Sequence, residues 1–308
     1  MNKDKIKKIF NKIGLDIYRH DNRYYRTTYL RPKYACDVRV NEQDFCFGKK
    51  VAIIIQGAIK HEDDFTLESV KLYRKLYPNS FVIISTWSEE PHEYLRKIEA
   101  LEAKVIQNEK PLNPGHGSIN YQLKTTKAAI DLAVEKGCEY ILKTRTDQRI
   151  YGEGNLSYLM QILWENPLHI ETKAKGRLIT CSNGCFSGRL YNISDMVLFG
   201  YSEDILAYYS CSEDIRNNPI IDPGNDMVMY SQKRPGEIYF SSNYIEYLGF
   251  ELQWTEADNL YYIKELFLII DNEALDWYWP KYTDSEYRWR DYSGRKLRQL
   301  TNKDWKRL

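Results

Sequence analysis

Charged side chains suited to phosphate and cation chemistry follow a short apolar run at residues 140–142. The run predicts a buried strand, and Asp147 comes just after it, between Arg145 and Arg149. In an open α/β sheet, ligands bind in the crevice beyond the carboxyl ends of the strands. A carboxylate there can hold a hard cation, and arginines can grip phosphate oxygens through paired hydrogen bonds. The stretch therefore predicts a site for a phosphate-bearing ligand, with an exposed turn of solvated charges as the alternative.

Two continuous apolar runs, residues 51–55 and 81–86, precede this stretch. Such runs are typical of strands buried on both faces of a parallel sheet, and the helical pattern between them predicts a β-α-β unit. Gln56 and Gly57 follow the first run, and Thr86 ends the second. A glycine at a strand end lets the backbone approach a ligand closely. We expect these three residues to line a nucleoside pocket.

A helical pattern over residues 119–136 leads into the strand at residues 140–142, after a predicted helix at 92–101 and a short strand at 104–107. Asn120 and Gln122 lie in the first turn of the later helix, on the strand-end side of the predicted sheet. Their amides can bond a ligand or cap the helix, and both interpretations stay open.

The composition weighs against several classes of protein. The net charge is +1 over 308 residues, so no global field favours nucleic acid. No apolar run reaches the length of about 18 residues that a membrane span needs. The N-terminus lacks the apolar core of a signal peptide, and the 6 cysteines show no CxxC pair, which predicts reduced thiols and a cytoplasmic location. The fingerprints GxGxxG and GxxxxGK[ST] are missing, which argues against dinucleotide enzymes and P-loop NTPases.

The pattern predicts three segments. Residues 1–49 form a basic, amphipathic and then aromatic arm, residues 50–250 form the α/β catalytic domain, and residues 251–308 form an aromatic and basic extension packed on it. The basic ends, residues 1–15 and 288–307, suit an anionic membrane surface such as the inner face of the cytoplasmic membrane. Ordinary packing on the domain is the alternative.

The first half of the predicted domain is an α/β unit with charges at a strand end, and the second half contains isolated acids. This combination suits a nucleotide-sugar transferase of the GT-A type. Seven segments in the same order carry a resemblance to a known family: VAIIIQGAI (51–59), ESVKLYRKLYPNS (68–80), FVIISTW (81–87), INYQLKTT (119–126), YILKTRTDQRI (140–150), ISDMVLFG (193–200) and GEIYFSSNYIEYLG (236–249). Over about residues 50–280 the chain resembles the WavE family of lipopolysaccharide-synthesis proteins.

The resemblance implies a GT-A-like, Rossmann-type mixed sheet, mostly parallel in its first half and flanked by helices. It also implies transfer of a sugar from a nucleotide-sugar donor to a growing bacterial surface glycan: lipopolysaccharide core, O-antigen or capsule. The acceptor would be a glycan or a lipid-linked glycan.

Residues 145–147 stand where such transferases carry a DxD motif. Asp147 is predicted to bind Mn²⁺ or Mg²⁺ that bridges the donor diphosphate and neutralises leaving-group charge. Arg145 replaces the first acid of the motif and can supply part of that neutralisation itself, so both roles stay open. The predicted donor-binding set is Gln56, Gly57, Thr86, Asn120, Gln122, Arg145 and Arg149.

An inverting transfer needs a general base within about 3 Å of the acceptor hydroxyl. Glu237 is the first candidate, Asp195 the second and Asp226 the third. Asp195 interrupts an apolar run, and a buried carboxylate needs a partner. Its carboxylate either faces the site or forms a structural ion pair with a nearby cation such as Arg189.

Three other functions remain open on the sequence. A sugar-phosphate or nucleotidyl transferase could use the same fold and the same carboxylate. A non-catalytic carbohydrate-binding protein of an assembly complex would fit the aromatic content of 14%. A peripheral membrane protein would act through its basic ends alone.

Overall fold

The computed structural model describes residues 30–216, 226–281 and 298–308. The predicted basic segment at residues 1–15, the turn-rich stretch at 217–225 and most of the basic C-terminal tail lie outside the described residues. By its internal contacts the chain divides after Arg31, and Pro32–Leu308 forms one compact unit. Everything that follows concerns this unit.

Within the described ranges, seven strands form one mixed sheet in the order β3-β2-β1-β4-β7-β6-β8. The strands are β1 (Val51–Gln56), β2 (Phe81–Trp87), β3 (Lys104–Asn108), β4 (Tyr140–Arg145), β6 (Leu178–Cys181), β7 (Leu198–Tyr201) and β8 (Phe267–Ile270). The first four run parallel, β7 is antiparallel to β4 and β6, and β8 is parallel to β6. The predicted α/β class, with a mixed sheet that is parallel in its first half, is confirmed.

Helices flank this sheet, and those between the first four strands match the helical patterns in the sequence. They are α1 (Phe65–Leu76), α2 (His92–Glu99), α3 (Ile119–Glu135), α4 (Asn155–Glu165), α5 (Ser202–Tyr208), α6 (Met227–Gln232), α7 (Glu237–Tyr247), α8 (Glu256–Leu266) and α9 (Asn302–Trp305). Every residue of β1 is buried, as expected for a strand covered on both faces. Each large aliphatic side chain buried in this way stabilises the fold by about 1.5–3 kcal/mol relative to leaving it exposed.

Strand β4 is longer than its apolar run predicts. It extends through Lys143 and Thr144 to Arg145, because the parallel ladder with β1 continues to the pair Gln56 and Arg145. Lys143 and Thr144 are fully buried. The predicted end of the strand at residue 142 is therefore three residues too early, and the alternative of an exposed turn of solvated charges does not hold for Lys143 and Thr144.

Two strands of the predicted C-terminal segment pair with strands of the predicted catalytic domain. The apolar run of β8 pairs with β6, and the short strand β9 (Trp277–Tyr278) pairs with β5 (Arg149–Ile150). The backbone N–H and C=O groups of a buried apolar strand need hydrogen-bond partners, and pairing with β6 supplies them. The predicted boundary at residue 250 therefore does not separate two structural units.

No helix in the described part of the chain is both long and apolar enough to cross a membrane. The six cysteines all fall in the described ranges and are unpaired, in agreement with the prediction of reduced thiols.

Candidate functional site

The topology opens a crevice at the carboxyl ends of β1 and β4. From β1 the chain moves to β2 and β3 on one side, then crosses back to β4 on the other side of β1. Ligands of open α/β sheets bind at such a switch point. Gln56 and Arg145 are register partners at this end, and the backbone N–H of Thr146 donates to the Gln56 carbonyl at 3.1 Å.

Gly57 is required where these two strand ends meet. Its φ is +116°, a conformation that side chains rarely adopt, and a Cβ would lie 3.2 Å from the Thr146 hydroxyl oxygen. That hydroxyl donates to the Ala58 carbonyl at 2.5 Å. The glycine thus lets the loops after β1 and β4 pack together.

Arg145 and Asp147 form a two-point ion pair in the crevice. Arg145 Nε lies 2.9 Å from Asp147 Oδ1, and its terminal nitrogen lies 3.2 Å from Oδ2. The indole N–H of Trp279 donates to the same Oδ2 at 2.9 Å, and the guanidinium lies 5.5 Å from the Trp279 ring centroid. Burial alone would raise the pKa of Asp147, but the hydrogen bond and charge of Arg145 outweigh it and lower that pKa.

The residues as placed do not fit a resident divalent cation. Both oxygens of Asp147 accept from cationic or indole nitrogens. Within the described residues there is also no group of three or more His, Cys, Asp or Glu that could hold a metal ion. Divalent cations need several oxygen ligands at once. This arrangement gives the expected Mn²⁺ or Mg²⁺ at Asp147 no support, and a metal ion there stays a prediction.

Arg149 is placed away from the crevice, contrary to its predicted role in donor binding. Its guanidinium is buried and donates to Ser69 Oγ at 2.9 Å, the Phe65 and Lys33 carbonyls at 2.7 Å and Tyr151 Oη at 3.0 Å. The pairing of β5 with β9 directs it inward. Arg149 ties α1 to the segment before β1, so its role is structural.

Asn120 also has a structural role instead of the predicted contact with the donor. Its amide is buried, accepts from the Asp214 N–H at 2.7 Å, and donates to the carbonyls of Asp214 at 2.8 Å and Asn113 at 3.0 Å. These bonds fasten the loop before α3 to the segment after α5. The amide has no free edge for a ligand.

Gln56 and Thr86 are buried at the floor of the crevice. The Gln56 amide oxygen accepts from Thr125 at 2.9 Å, and the Thr86 hydroxyl lies 3.5 Å from a Glu90 carboxylate oxygen. Beside them Trp87 and Tyr121 form an edge-to-face pair with centroids 5.4 Å apart. The sequence interpretation missed this pair, although Trp87 is the last residue of an apolar strand.

Asp195 and Gln122 are brought into contact across the crevice. The Gln122 amide donates to a carboxylate oxygen of Asp195, which is almost fully buried. Arg189, the alternative partner, instead lies 5.0 Å from the rings of Phe186 and Tyr230. The amide of Gln122 therefore satisfies the buried acid, and both face the site.

Glu237 begins α7 and is half-buried beside Asp195. Its carboxylate accepts from its own backbone N–H and from no side chain in the described part of the molecule. Burial and the charge of Asp195 raise the pKa of Glu237 to about 7, against the opposing charges of Arg189 and Lys143. A carboxylate with a pKa near the working pH is suited to proton transfer.

Asp226 is an exposed helix cap rather than a catalytic group. Its carboxylate accepts from the backbone N–H groups of Val228 and Met229, at 3.0 Å each, at the start of α6. This is the ordinary function of an aspartate before a helix. The third candidate for the base is therefore not supported.

Lys143 is a site residue that the sequence interpretation missed. Its ammonium donates to the Asp195 carbonyl and lies 5.9 Å from the ring centroid of Tyr209. Burial lowers the pKa of Lys143 to about 8, with Asp195 opposing and Arg145 reinforcing that shift. In the sequence, a lysine followed by Thr144, Arg145 and Thr146 is most simply interpreted as a solvated charge. The burial of Lys143 is evident only from the strand register.

No family model matches this chain, and no curated protein matches it, so the resemblance to the WavE family stays a prediction. Several solved structures show loose similarity. A glycosyltransferase involved in the glycosylation of the major capsid of PBCV-1 has a TM-score of 0.36 and 13% identity, over 77% of this chain and 96% of that chain. Mouse xyloside xylosyltransferase 1 has a TM-score of 0.32 and 12% identity, over 73% and 85%.

A 4-diphosphocytidyl-2C-methyl-D-erythritol synthase from Anaerococcus prevotii has a TM-score of 0.35 and 11% identity, over 65% of this chain and 99% of that chain. TM-scores below 0.5 denote loose similarity, from which neither a shared activity nor a shared site follows. The chemistry of the crevice has to be inferred from its own residues.

Proposed function

We propose that this chain is a GT-A-type glycosyltransferase that moves a sugar from a nucleotide-sugar donor to a glycan acceptor. The observation that carries the proposal is the presence, in the switch-point crevice, of both a half-buried carboxylate whose pKa is raised to about 7, Glu237, and a guanidinium on which its charge acts, Arg145. Proton transfer and neutralisation of a diphosphate are the two tasks that glycosyl transfer from a nucleotide sugar requires.

The donor would lie over the ends of β1 and β2, with its nucleoside near Gln56, Gly57 and Thr86. A guanidinium has five N–H donors, and the bonds from Arg145 to Asp147 use Nε and one terminal nitrogen. The remaining donors suit diphosphate oxygens. Arg145 then stabilises the negative charge that builds up on the leaving diphosphate, and Asp147 holds the arginine in place.

The acceptor would lie between the donor and Glu237. The Glu237 carboxylate takes the proton of the acceptor hydroxyl while the hydroxyl oxygen bonds to the anomeric carbon. The bond between that carbon and the diphosphate breaks, and its electron pair leaves with the diphosphate. Attack from the face opposite the leaving group inverts the configuration, so we propose an inverting transfer with Glu237 as base.

The resemblance to the WavE family supports a bacterial surface glycan as the acceptor, in the form of lipopolysaccharide core, O-antigen or capsule. Such an acceptor would be a glycan or a lipid-linked glycan, reached at the inner face of the cytoplasmic membrane. The basic residues at both ends of the chain suit a cytoplasmic enzyme held at that surface.

A panel of UDP-, GDP-, CDP- and TDP-sugars tests the proposal. Incubation with a lipid-linked glycan extract should release the nucleoside diphosphate of one donor, and the Glu237→Gln variant should lose this release. Glu99→Gln, at an exposed position on α2, is the matched control and should behave as wild type. A product joined through a phosphodiester would instead indicate a sugar-phosphate transferase, and absence of any turnover or nucleotide binding by folded protein would contradict the proposal.

A further inference from the structure

A lysine lies in the middle of the central sheet. Lys143 occupies β4 between Leu142 and Thr144, and all three are buried. A charged group removed from water is costly unless it is paired and hydrogen-bonded. Because α/β strands of this kind carry aliphatic residues, a lysine at this position needs an explanation in the contacts that it makes.

The surroundings of Lys143 include the acids of the site. Its ammonium donates to the main-chain carbonyl of Asp195, so it holds the loop before β7 against β4. The carboxylates of Asp195 and Glu237 both act on its charge. The ring centroid of Tyr209 lies 5.9 Å from the ammonium. Because Lys143 is fully buried, its charge interacts with these acids more strongly than it would at the surface.

The other charged or titratable groups around this centre lie on several elements. Those that interact electrostatically with Lys143, Glu237 or both are Asp195, Asp147, Arg145, Arg189, Tyr208, Tyr230 and Cys185, and the ring of Tyr209 lies near the Lys143 ammonium. Of the nearby cations, Lys143 is the one that both contacts the Asp195 loop and carries an ammonium that can lose its proton near neutral pH.

We propose that Lys143 is a positioning residue of the transfer reaction, which holds the Asp195 loop and keeps Glu237 ionised as the general base. The inference rests on the proposed function, because it takes Glu237 as the base. Without the ammonium, the two neighbouring carboxylates would repel each other with less compensation, and Glu237 would retain its proton to higher pH. The residue acts through Glu237 and touches no reacting atom.

The proposal fixes the shape of the pH profile. Turnover should rise as Glu237 loses its proton around its pKa of about 7, because the base must be deprotonated. Well above that pH Glu237 is ionised whether or not Lys143 carries its charge, so the effect of Lys143 lies in the position of this acidic limb. A single acidic limb with its midpoint near the Glu237 pKa is expected for wild type.

Two substitutions test whether the charge of Lys143 sets the position of this limb. Lys143→Arg keeps a permanent cation, so its acidic limb should stay near the wild-type position. Lys143→Met removes the cation, so its acidic limb should move to higher pH by on the order of one unit. Lys104→Met, exposed on the edge strand β3, is the control and should keep the wild-type acidic limb. Identical profiles for wild type, Lys143→Arg and Lys143→Met would overturn the proposal.

A readout without turnover distinguishes failure of this inference from failure of the proposed function. In protein labelled with ¹³C at the glutamate carboxyl carbon, the Glu237 resonance is assigned by its loss in Glu237→Gln. Its titration midpoint should rise on the order of one unit in Lys143→Met and stay near wild type in Lys143→Arg. A shifted midpoint in a protein that transfers no sugar supports the electrostatic link and rejects the function. An unshifted midpoint in folded Lys143→Met rejects the inference, and circular dichroism checks the fold of each variant.

Discussion

The crevice contains two carboxylates whose environments are opposite. Asp147 accepts from Arg145 and Trp279, and the cation lowers its pKa. Glu237 has no cationic hydrogen-bond partner in the described residues, and burial beside another acid raises its pKa to about 7. Environments that push the pKa values of two acids apart assign them different tasks. Asp147 is suited to hold the Arg145 guanidinium in place, and Glu237 is suited to accept and release a proton.

The largest effect should come from removing the base. Glu237→Gln keeps the size of the side chain but cannot take a proton, so turnover should fall about 10²–10⁴-fold. Binding of the nucleoside diphosphate should remain near wild type, because the diphosphate contacts the other half of the crevice. Single-turnover kinetics with calorimetry measures both. Equal loss of binding and turnover would show that Glu237 binds the donor and would remove it as the base.

The next largest effect distinguishes the roles of the two arginines on either side of Asp147, Arg145 and Arg149. Arg145→Ala should weaken diphosphate binding about 10–100-fold, since a hydrogen bond to a charged group contributes about 1.5–3 kcal/mol. Arg149→Ala should leave that affinity unchanged in the folded protein but lower the free energy of unfolding by about 3 kcal/mol, because it leaves buried partners unsatisfied.

Arg96→Ala, exposed on α2, is the matched control for both and should change neither quantity. Chemical denaturation and calorimetry on the three variants provide the comparison. If Arg149→Ala lost affinity while Arg145→Ala kept it, Arg149 would be the ligand-binding arginine and Arg145 the structural one.

A smaller effect is expected at Asp147. Asp147→Asn removes the charge that pairs with Arg145, but the arginine that binds the diphosphate remains. Affinity for the diphosphate should therefore change less than about tenfold, the equivalent of about 1.4 kcal/mol. A residue that held the donor through a metal ion would lose far more on this substitution. A loss above about a hundredfold, restored by excess Mn²⁺, would favour the metal role predicted from the sequence.

The smallest effect concerns the third acid. Asp226→Ala removes the cap of α6 and should destabilise the protein by about 1 kcal/mol. Turnover should be unchanged at a temperature where the variant is folded. Thermal unfolding and the transfer assay measure the two effects, and a large loss of turnover in folded Asp226→Ala would make this residue a candidate base again.

The sequence predicts the sheet better than the site because strands and helices are specified by neighbouring residues. The apolar runs of β1 and β2 and the helical stripes of α1 and α3 are local patterns, and the structure reproduces them within one or two residues. The position of Arg145 and Asp147 at a strand end follows from the same patterns. The burial of Lys143 does not follow from these local patterns, because it is set by the register of β4 against β1.

The errors at the site have a common cause. Arg149, Asn120 and Asp226 are polar residues for which a ligand contact and a structural hydrogen bond look alike in the sequence. The hydrogen-bond partners of the first two, Ser69 and Asp214, lie 80 and 94 residues away along the chain. Only the folded chain brings such partners together.

The most direct test of a diphosphate site in the crevice is calorimetric titration of the wild-type protein with UDP, GDP, CDP and TDP in the presence of EDTA. We predict that one of the four binds at a single site without metal, that Arg145→Ala weakens this binding and that Arg96→Ala does not. Failure of all four to bind folded protein, with or without added Mn²⁺ and Mg²⁺, would contradict a diphosphate site in the crevice. Binding that appears only when metal is added would contradict the role assigned to Arg145.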